Sequence, residues 1–282
     1  MGIMIYTVTL NPSLDYYMEL TELVPGKINR SSSEHLQVGG KGINLSKELK
    51  ELGVCSTVCG FCAGTVGRTI VSEVEKLGLK SLWTETLGCS RINVKLLCNP
   101  ETAVNGIGCQ ANIEDLDKLC EQINSDEGSI VVFAGAVCKG LGKHAYAYMM
   151  SRLKGNFVID AEKELLTNCL RYKPLFIKPN HIELGQIYNT NINSIEQAIY
   201  FGRRLCEEGA QNCIVSLGEK GAIYVTESEA HIVKPNKIEV KSTVGAGDTL
   251  LAGIIYGYVK GMSKEESIVF ATRLAERKIS KI

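Results

Sequence analysis

The sequence has no apolar run long enough to cross a membrane and no excess of either charge. A bilayer-spanning helix needs about 20 consecutive apolar residues, and no segment of this 282-residue chain approaches that length. Basic and acidic residues number 31 each, so nucleic acid and anionic membrane surfaces are not expected partners. The opening MGIMIY lacks the basic region and cleavage site of a signal peptide and is typical of a buried strand. These absences predict a cytoplasmic protein.

The sequence also lacks the common nucleotide-binding motifs. It contains no G-x-x-x-x-G-K-[ST] segment, which excludes a P-loop enzyme. The glycine loop at residues 39–44 lacks the third glycine of a dinucleotide-binding fingerprint. None of the four histidines has a serine or cysteine partner by motif, so structural or surface positions are expected for all of them.

Eleven cysteines are present, but they do not form a metal-binding pattern. Cys59 and Cys62 make the single C-x-x-C pair, and no second pair completes a zinc set. Most of the eleven lie in apolar runs, where cysteine behaves as a small hydrophobic residue. Their odd number predicts reduced thiols. A metal or redox role for Cys59 and Cys62 is the less favoured alternative.

Hydrophobic patterning predicts an α/β protein in two parts. Loose alternation at 15–20 and 28–38 is typical of a small exposed sheet, and the cleanly alternating segment at 90–98 is expected to join it. The regular strand–helix alternation after residue 113 indicates a parallel sheet covered on both faces. Strands are predicted at 3–10, 15–20, 28–38, 56–61, 90–98 continuing to 108, 130–134, 157–160, 175–178, 213–216 and 237–241, with a hairpin at 222–226 and 231–233. Helices are predicted at 44–52, 69–77, 113–123, 144–153, 162–170, 194–208, about 249–260 and 264–278. Ligands of such sheets bind at the carboxyl ends of strands.

A glycine-rich turn at residues 245–247 follows a strand-like run and precedes an apolar, helix-like segment. Glycines allow a tight turn with exposed N–H groups, and the unpaired N–H groups of a following helix point into the same space. This arrangement predicts an anion site. Asp248 stands at its mouth and is either a helix cap or a base beside a bound phosphate; the turn alone leaves both roles open.

Three further segments carry candidate binding residues, each with a simpler structural alternative. Residues 39–44 bring backbone N–H groups, Lys41 and Asn44 to one loop, which is a phosphosugar or polyol site or a plain glycine turn. Arg91 lies on an alternating strand, where arginine is usually solvated. Glu183 follows Pro179-Asn180, a combination that commonly starts a helix.

Taken together, residues 39–53 and 244–253 resemble the two signatures of the PfkB/ribokinase-like carbohydrate kinases. The resemblance covers essentially the whole chain and is closest to the bacterial 1-phosphofructokinases within that family. The additional matching segments are Thr7–Asp15, Gly26–Arg30, Ser90–Lys95, Glu101-Thr102 with Asn105-Gly106, and Ile177–Asn180 with Glu183-Leu184.

The resemblance implies a ribokinase-like three-layer α/β/α core with a mainly parallel sheet and a small β-sheet lid. It implies one kinase domain over residues 1–282, with lid segments at about 13–38 and 90–110. Lids of this family often pair with a second subunit, and an open apolar sheet is otherwise prone to aggregate. A homodimer through the lid is therefore expected.

The resemblance also implies an ATP- and Mg²⁺-dependent reaction on a ketohexose phosphate, with fructose 1-phosphate giving fructose 1,6-bisphosphate as the first choice. It assigns Asp248 as the base and Gly245, Ala246 and Gly247 as the anion hole. The implied substrate-binding residues are Asp15, Lys27, Gly39, Gly40, Lys41, Asn44, Ser90 and Arg91. The implied nucleotide-binding residues are Lys178, Asn180, Ser216, Gly218 and Gly221, and Glu183 would organise Mg²⁺ through water.

Three alternatives stay open beside this reaction. Tagatose-6-phosphate kinase shares the phosphate and base motifs, whereas a kinase of unphosphorylated sugars or nucleosides would leave Ser90 and Arg91 without a purpose. A sugar-phosphate-binding protein that has lost turnover is suggested by two departures from the family pattern. In the family, the loop at Ala134–Cys138 usually contains two serines and a proline, and this sequence has none of the three there. The chain also ends early, at Ile282, in the region where the family builds a wall of the adenine pocket.

Overall fold

The computed structural model describes residues 2–280, and its strands form two sheets. The strands are β1 (Ile5–Thr9), β2 (Ser13–Glu19), β3 (Ser33–Gly39), β4 (Thr57–Cys62), β5 (Lys80–Glu85), β6 (Arg91–Leu97), β7 (Thr102–Asn105), β8 (Ile130–Ala134), β9 (Asn156–Asp160), β10 (Phe176–Ile177), β11 (Cys213–Ser216), β12 (Ala222–Val225) and β13 (Ala230–Val233). The larger sheet has nine strands in the order β13-β12-β11-β10-β9-β8-β1-β4-β5, and the smaller has four in the order β3-β2-β6-β7.

The helices that connect these strands flank the larger sheet. They are α1 (Lys41–Glu51), α2 (Gly64–Lys76), α3 (Ile113–Gln122), α4 (Ala145–Met150), α5 (Lys163–Thr167), α6 (His181–Ile187), α7 (Ile195–Glu207), α8 (Ala246–Val259) and α9 (Lys264–Ser280). No helix within residues 2–280 is long and apolar enough to cross a bilayer.

The larger sheet is buried on both faces, which explains its continuous apolar strands. All five residues of β1 and of β8 are buried, and the two strands pair in parallel with Val8 opposite Phe133. Alternate residues of β8 enter different cores: Val131 and Phe133 pack in one cluster, whereas Ile130 and Val132 pack in the other. The first cluster includes residues of α3, α4 and α7, and the second includes residues of α1, α8 and α9. The three-layer α/β/α architecture is confirmed.

The sheet is parallel except at one edge. Strands β11, β12 and β13 pair antiparallel, with β12 and β13 forming the hairpin that the sequence predicted.

The smaller sheet is a lid built from β2, β3, β6 and β7. Its strands pair so that Ser13 lies opposite both Gly39 and Arg91, and Asp15 lies opposite Asn93. Leu14 and Val38 are buried at the base of the lid and pack with residues of α1, α2 and the larger sheet. Paired residues share a face, so one face of the lid carries Asp15 and Asn93 and the other carries Leu14.

The predicted strand at 237–241 is wrong. Residues 234–241 have no strand structure, and their backbone groups bind the last helix instead of a neighbouring strand. The N–H groups of Lys241 and Ser242 donate to the Ile279 carbonyl, and the N–H of Asn236 donates to the Glu276 carboxylate. The glycine-rich turn therefore follows an irregular segment.

Several element boundaries also differ from the predictions. The strand predicted from residue 28 begins at Ser33. Helix α1 begins at Lys41 directly after Gly40, and α2 begins at Gly64 rather than at residue 69. Strand β5 was not predicted; it is the edge strand of the larger sheet and pairs in parallel with β4.

Candidate active site

The glycine turn before α8 leaves backbone donors free, as an anion site requires. Gly245 adopts a left-handed conformation with φ of 79°, which only glycine takes readily, and α8 begins at the next residue. Within residues 2–280, the N–H groups of Gly247 and Asp248 have no backbone acceptor. The first turn of α8 thus combines unpaired donors with the positive end of the helix dipole.

Asp248 is buried at this turn and is held by Asn44 of α1. Its side chain is 8% exposed, and its Oδ2 accepts a hydrogen bond of 3.0 Å from Asn44 Nδ2. Among the described residues it accepts no capping hydrogen bond from the α8 backbone, which argues against the helix-cap alternative. Burial raises its pKa to about 6, with the negative charge of Asp160 adding to the increase. The carboxylate is ionised at neutral pH and more basic than an exposed aspartate.

Asp160 bridges two lysines beneath the same site. The Asp160 side chain is 2% exposed. Its Oδ1 lies 2.9 Å from Lys41 Nζ, and its Oδ2 lies 3.2 Å from Lys178 Nζ. Burial acts to raise the pKa of Asp160, but the two ammonium groups outweigh it and hold that pKa below its usual value. A Cβ at Gly247 would lie 3.3 Å from Lys178 Nζ. Asp160 therefore fixes one ammonium group beside the predicted anion hole and the other at the start of α1.

The lid carries a second acid, Asp15, on β2. Asp15 Oδ1 accepts hydrogen bonds of 2.7 Å from Ser13 Oγ and 2.7 Å from Asn93 Nδ2. Gly39 faces this carboxylate, and a Cβ there would lie 2.5 Å from Asp15 Oδ2. Residue 39 must therefore be glycine for Asp15 to keep its position. Oδ2 of Asp15 accepts no hydrogen bond within residues 2–280 and is free to bind a hydroxyl.

Arg91 is a half-buried cation without a full set of acceptors. Its Nε is buried and has no hydrogen-bond partner in the described part of the chain. Burial lowers the pKa of Arg91, and the nearby Asp15 charge opposes that change. An unpaired donor on a half-buried guanidinium is a suitable partner for an anionic ligand.

The structure places two of the predicted substrate residues in other roles. Ser90 is buried, and its Oγ accepts a hydrogen bond of 3.0 Å from the Ala63 N–H. Lys27 is exposed in the loop between β2 and β3, beyond the Glu19–Ser33 pair. Six residues of strand separate that pair from Ser13 and Gly39, which at about 3.4 Å each is about 20 Å. Within one chain, Lys27 is not brought to the site.

A cleft of about 1090 Å³ adjoins the anion site and contains most of the predicted nucleotide residues. Asn180, Ser216, Gly218 and Gly221 line it, together with Ala246 and Gly247 of the glycine turn. The last helix forms another wall through Thr272, Ala275, Glu276 and Ile279. In the described chain, α9 and the irregular segment that it holds thus line the cleft in the region where the sequence departs from the family pattern.

Asn180 and Glu183 form a reciprocal cap at the start of α6. Asn180 Oδ1 accepts hydrogen bonds from the Ile182 and Glu183 N–H groups, and Glu183 Oε2 accepts one of 2.8 Å from the Asn180 N–H. The helix-start alternative is thus correct for these residues. In this cap, Glu183 Oε1 accepts no hydrogen bond within the described chain. The negative charge of Glu183 is also close enough to Lys41 to raise the pKa of that lysine.

A buried carboxylate beside an anion site, with a large cleft adjoining that site, is suited to phosphoryl transfer. The comparison with protein families shows which kind of phosphoryl-transfer enzyme has this arrangement. The model of the pfkB family carbohydrate kinases matches residues 8–282. The chain belongs to this family.

Two curated relatives show where this pfkB kinase lies within the family. A 1-phosphofructokinase of Bacillus subtilis is 38% identical over 268 residues, which is 94% of this chain and 88% of the relative. A 1-phosphofructokinase of Borreliella burgdorferi is 35% identical over 272 residues, covering 95% of this chain and 89% of the relative.

Solved structures agree with this assignment. A Staphylococcus aureus protein proposed to be a phosphofructokinase superposes with a TM-score of 0.85 and 37% identity, covering 98% of this chain and 92% of that one. The inhibited tetramer of Escherichia coli phosphofructokinase-2 superposes with a TM-score of 0.91 at 24% identity, covering 98% and 94% of the two chains. The second similarity shows the shared fold alone.

The altered loop of this kinase, Ala134–Cys138, is held in place without the missing hydroxyls. The Gly135 N–H donates to the Asp160 carbonyl at 2.9 Å, and the Gly135 carbonyl accepts from Tyr146 Oη at 2.9 Å. Tyr146 is fully buried. The first bond connects the loop to Asp160 at the end of β9, and the second connects it to α4, so the sequence departure does not leave the loop unsupported.

Sequence reasoning missed two residues of the site. In the sequence, Asp160 is only the last residue of the strand predicted at 157–160, although an acid buried at the carboxyl end of a parallel strand is itself a signal of function. Asn93 was quoted as part of the Ser90–Lys95 motif, but its role was not assigned. Its spacing of two from Arg91 already places both side chains on one face of β6.

Proposed function

We propose that this kinase transfers the γ-phosphoryl group of ATP to fructose 1-phosphate, giving fructose 1,6-bisphosphate and ADP. The observation that carries the proposal is the buried Asp248 carboxylate, which is fixed by Asn44 and adjoins the unpaired N–H groups at the start of α8. The two 1-phosphofructokinase relatives support the choice of substrate. The oxygen that attacks is the C6 hydroxyl, because the phosphate already present is on C1.

Asp248 accepts the C6 hydroxyl proton as the new oxygen–phosphorus bond forms and the bond to ADP breaks. A base with a pKa near 6 is ionised at neutral pH and still attracts a proton, which is the balance that general-base catalysis requires. The free N–H groups of residues 247 and 248 and the ammonium of Lys178 stabilise charge on the transferring group. The proton leaves Asp248 for solvent after the product departs.

The lid and the sugar loop bind the acceptor. Asp15 Oδ2 accepts from sugar hydroxyls while Ser13 and Asn93 hold its other oxygen. The loop at residues 39–44 contributes Gly40 and the start of α1. Arg91 binds the C1 phosphate through its guanidinium group, whose Nε has no partner within residues 2–280. Lys41, held by Asp160, places a further positive charge at the same loop.

The residues present fit a Mg²⁺ ion that is bound mainly through ATP and water. No group of three or more acidic, histidine or cysteine residues within 2–280 could hold a metal alone, and Mg²⁺ in kinases is commonly bound by one or two carboxylates plus phosphates and waters. Glu183, with one free carboxylate oxygen, would hold it. The bound ion supplies neutralisation of charge on the β- and γ-phosphates.

The proposal is tested by ATP turnover with fructose 1-phosphate, fructose 6-phosphate and tagatose 6-phosphate, assayed side by side through ADP release. We expect the highest kcat/KM with fructose 1-phosphate. A higher value with tagatose 6-phosphate would move the assignment to that activity. Sugar-phosphate binding without ADP release for all three would establish the alternative of a binding protein that has lost turnover.

The pH dependence of kcat/KM should report Asp248. We expect kcat/KM to rise about tenfold per pH unit up to about pH 6 and to level off above it, because only the ionised carboxylate accepts the proton. Asp160 and Lys41 should not titrate in this window, since the pKa of Asp160 is lowered and that of Lys41 is raised. A profile that stays flat down to about pH 5 would contradict the assignment of Asp248 as base.

We also infer that two copies of the chain associate through the lid. The lid face opposite Asp15 exposes Leu36, Ile92 and Val104, which are 58%, 43% and 60% exposed. Tyr16 lies opposite Leu36 on β3 and opposite Val94 on β6, and Val94 lies opposite Val104 on β7. Together with Ile92, these side chains form one continuous apolar surface on that face of the lid. The same apolar surface on a second copy can pack against it in a two-fold symmetric contact.

Sedimentation of the purified protein should give the mass of a dimer, and the double substitution Leu36→Lys with Val104→Lys should give a monomer. Both positions are exposed, so the fold should be unaffected and the melting temperature is the control. A wild-type monomer at micromolar concentration would contradict the lid interface.

The cysteines support the predicted compartment. All eleven are free thiols in the structure. This state is typical of proteins in a reducing cytoplasm, where ATP and sugar phosphates are also available.

A further inference from the structure

One face of α1 carries three polar side chains, each bound to a different part of the site. Lys41, Asn44 and Glu48 are spaced by three and four residues, so they lie along one side of the helix. Lys41 binds Asp160, Asn44 binds Asp248, and Glu48 Oε1 lies 2.7 Å from Lys278 Nζ. The first two contacts belong to the proposed mechanism, but the third has no role in it.

The third contact involves a nearly buried carboxylate. The Glu48 side chain is 8% exposed and the Lys278 side chain is 40% exposed. A buried charge is costly unless it is paired, and Lys278 is the cation within ion-pair distance of Glu48 in the described chain. The position of Glu48 on α1 therefore fixes the position of Lys278 near the end of α9.

Lys278 also contacts the turn that begins the anion hole. A Cβ at Gly245 would lie 3.8 Å from Lys278 Cε, so the lysine stem lies against Gly245 from the side of α9. The same side chain thus contacts α1 through its ammonium group and the catalytic turn through its methylene carbons.

The last turns of α9 hold the irregular segment before that turn as well. The Ile279 carbonyl accepts hydrogen bonds of 2.9 Å from the Lys241 N–H and 3.3 Å from the Ser242 N–H. Glu276 accepts two from Asn236, at 2.7 Å and 3.0 Å. Within residues 2–280, the segment 234–245 has no sheet partner, so its position depends on α9. The Glu48–Lys278 pair connects the last turns of α9 directly to α1.

We propose that Glu48 and Lys278 are positioning residues that fix the Gly245–Gly247 turn relative to α1. Through this pair, the anion hole keeps its position relative to Asn44, which also lies on α1 and holds the Asp248 carboxylate. The proposal rests on the proposed function for the catalytic consequence, but the position of the turn can be measured without any substrate.

The test compares Lys278→Met with Lys278→Arg and with Arg277→Met as the matched control. Arg277 is the neighbouring exposed cation of α9, and its side chain makes no ion pair within residues 2–280. We expect Lys278→Met to lower kcat at least about tenfold with KM for the sugar phosphate within about twofold. We expect Lys278→Arg to restore most of kcat, because arginine keeps the charge, and Arg277→Met to match the wild type.

Amide hydrogen exchange of residues 234–247, measured on the free protein by mass spectrometry, separates this proposal from the kinase assignment. Exchange should be faster in Lys278→Met and in Glu48→Gln than in the wild type and Arg277→Met. Unchanged exchange in both variants, or unchanged kcat in Lys278→Met, would overturn the positioning role. If the wild type turns over no sugar phosphate, the proposed function fails, and the exchange result still decides whether the pair holds the turn.

Discussion

Replacing Asp248 with asparagine should lower kcat by about 10³-fold, because an amide cannot accept the hydroxyl proton and general-base catalysis contributes about 10²–10⁴-fold. Asparagine has the same shape and can still accept the hydrogen bond from Asn44. Binding of fructose 1-phosphate, measured by calorimetry without ATP, should therefore stay within about threefold of the wild type. Retained turnover would show that Asp248 is not the base.

The stability of the same variant distinguishes loss of the base from loss of the fold. Burial raises the pKa of Asp248 from 3.8 to about 6, so the folded state binds this proton more tightly than the unfolded state does. Ionisation therefore destabilises the fold. This loss of folding free energy is absent below the pKa of the unfolded state and grows as the pH rises. It reaches its full value, at most about 3 kcal/mol, above about pH 6. Asparagine lacks this cost, so the variant should melt at a higher temperature than the wild type at neutral pH; a lower melting temperature would indicate misfolding.

Replacing Arg91 with methionine should raise KM for fructose 1-phosphate by about 10²-fold while kcat changes by less than about fivefold. Each charge-assisted hydrogen bond contributes about 1.5–3 kcal/mol, and this guanidinium has a buried donor with no partner in residues 2–280. Methionine keeps the apolar stem, so packing at the base of β6 should be preserved. Steady-state kinetics with varied sugar phosphate measures the effect.

Two controls make the Arg91 result specific to the phosphate. Arg68→Met removes an exposed arginine of α2 that binds Thr65 outside the site and should leave KM unchanged. Unphosphorylated fructose should bind the wild type and Arg91→Met equally weakly. An unchanged KM for fructose 1-phosphate in Arg91→Met would contradict the phosphate contact.

The fold was largely predictable because its strongest signals are local. Fully apolar strands such as Ile130–Ala134 can only be buried on both faces, and their alternation with helices permits few topologies. The strand prediction at 237–241 failed because Lys237–Lys241 alternates like a strand, whereas the backbone N–H of Lys241 binds the Ile279 carbonyl, about 40 residues away in the sequence. Local patterning carries no information about such contacts.

The site residues were predictable where all the groups needed for one role lie in a single short segment of sequence. The Gly245–Asp248 turn carries its free N–H groups and its acid within four residues, and the alternation of β6 places Arg91 and Asn93 on one face. The Asp160 bridge was not predictable, because Lys41 and Lys178 lie 119 and 18 residues from it and meet only when three elements pack. The Glu48–Lys278 pair is hidden for the same reason.

The most direct test of the kinase assignment is a phosphorus NMR spectrum of the protein incubated with ATP, Mg²⁺ and fructose 1-phosphate, with Asp248→Asn as the control. The account predicts equal amounts of ADP and fructose 1,6-bisphosphate, with the new phosphate ester on C6, and almost no conversion by the variant. Unchanged ATP, or ADP with free phosphate and intact fructose 1-phosphate, would contradict it.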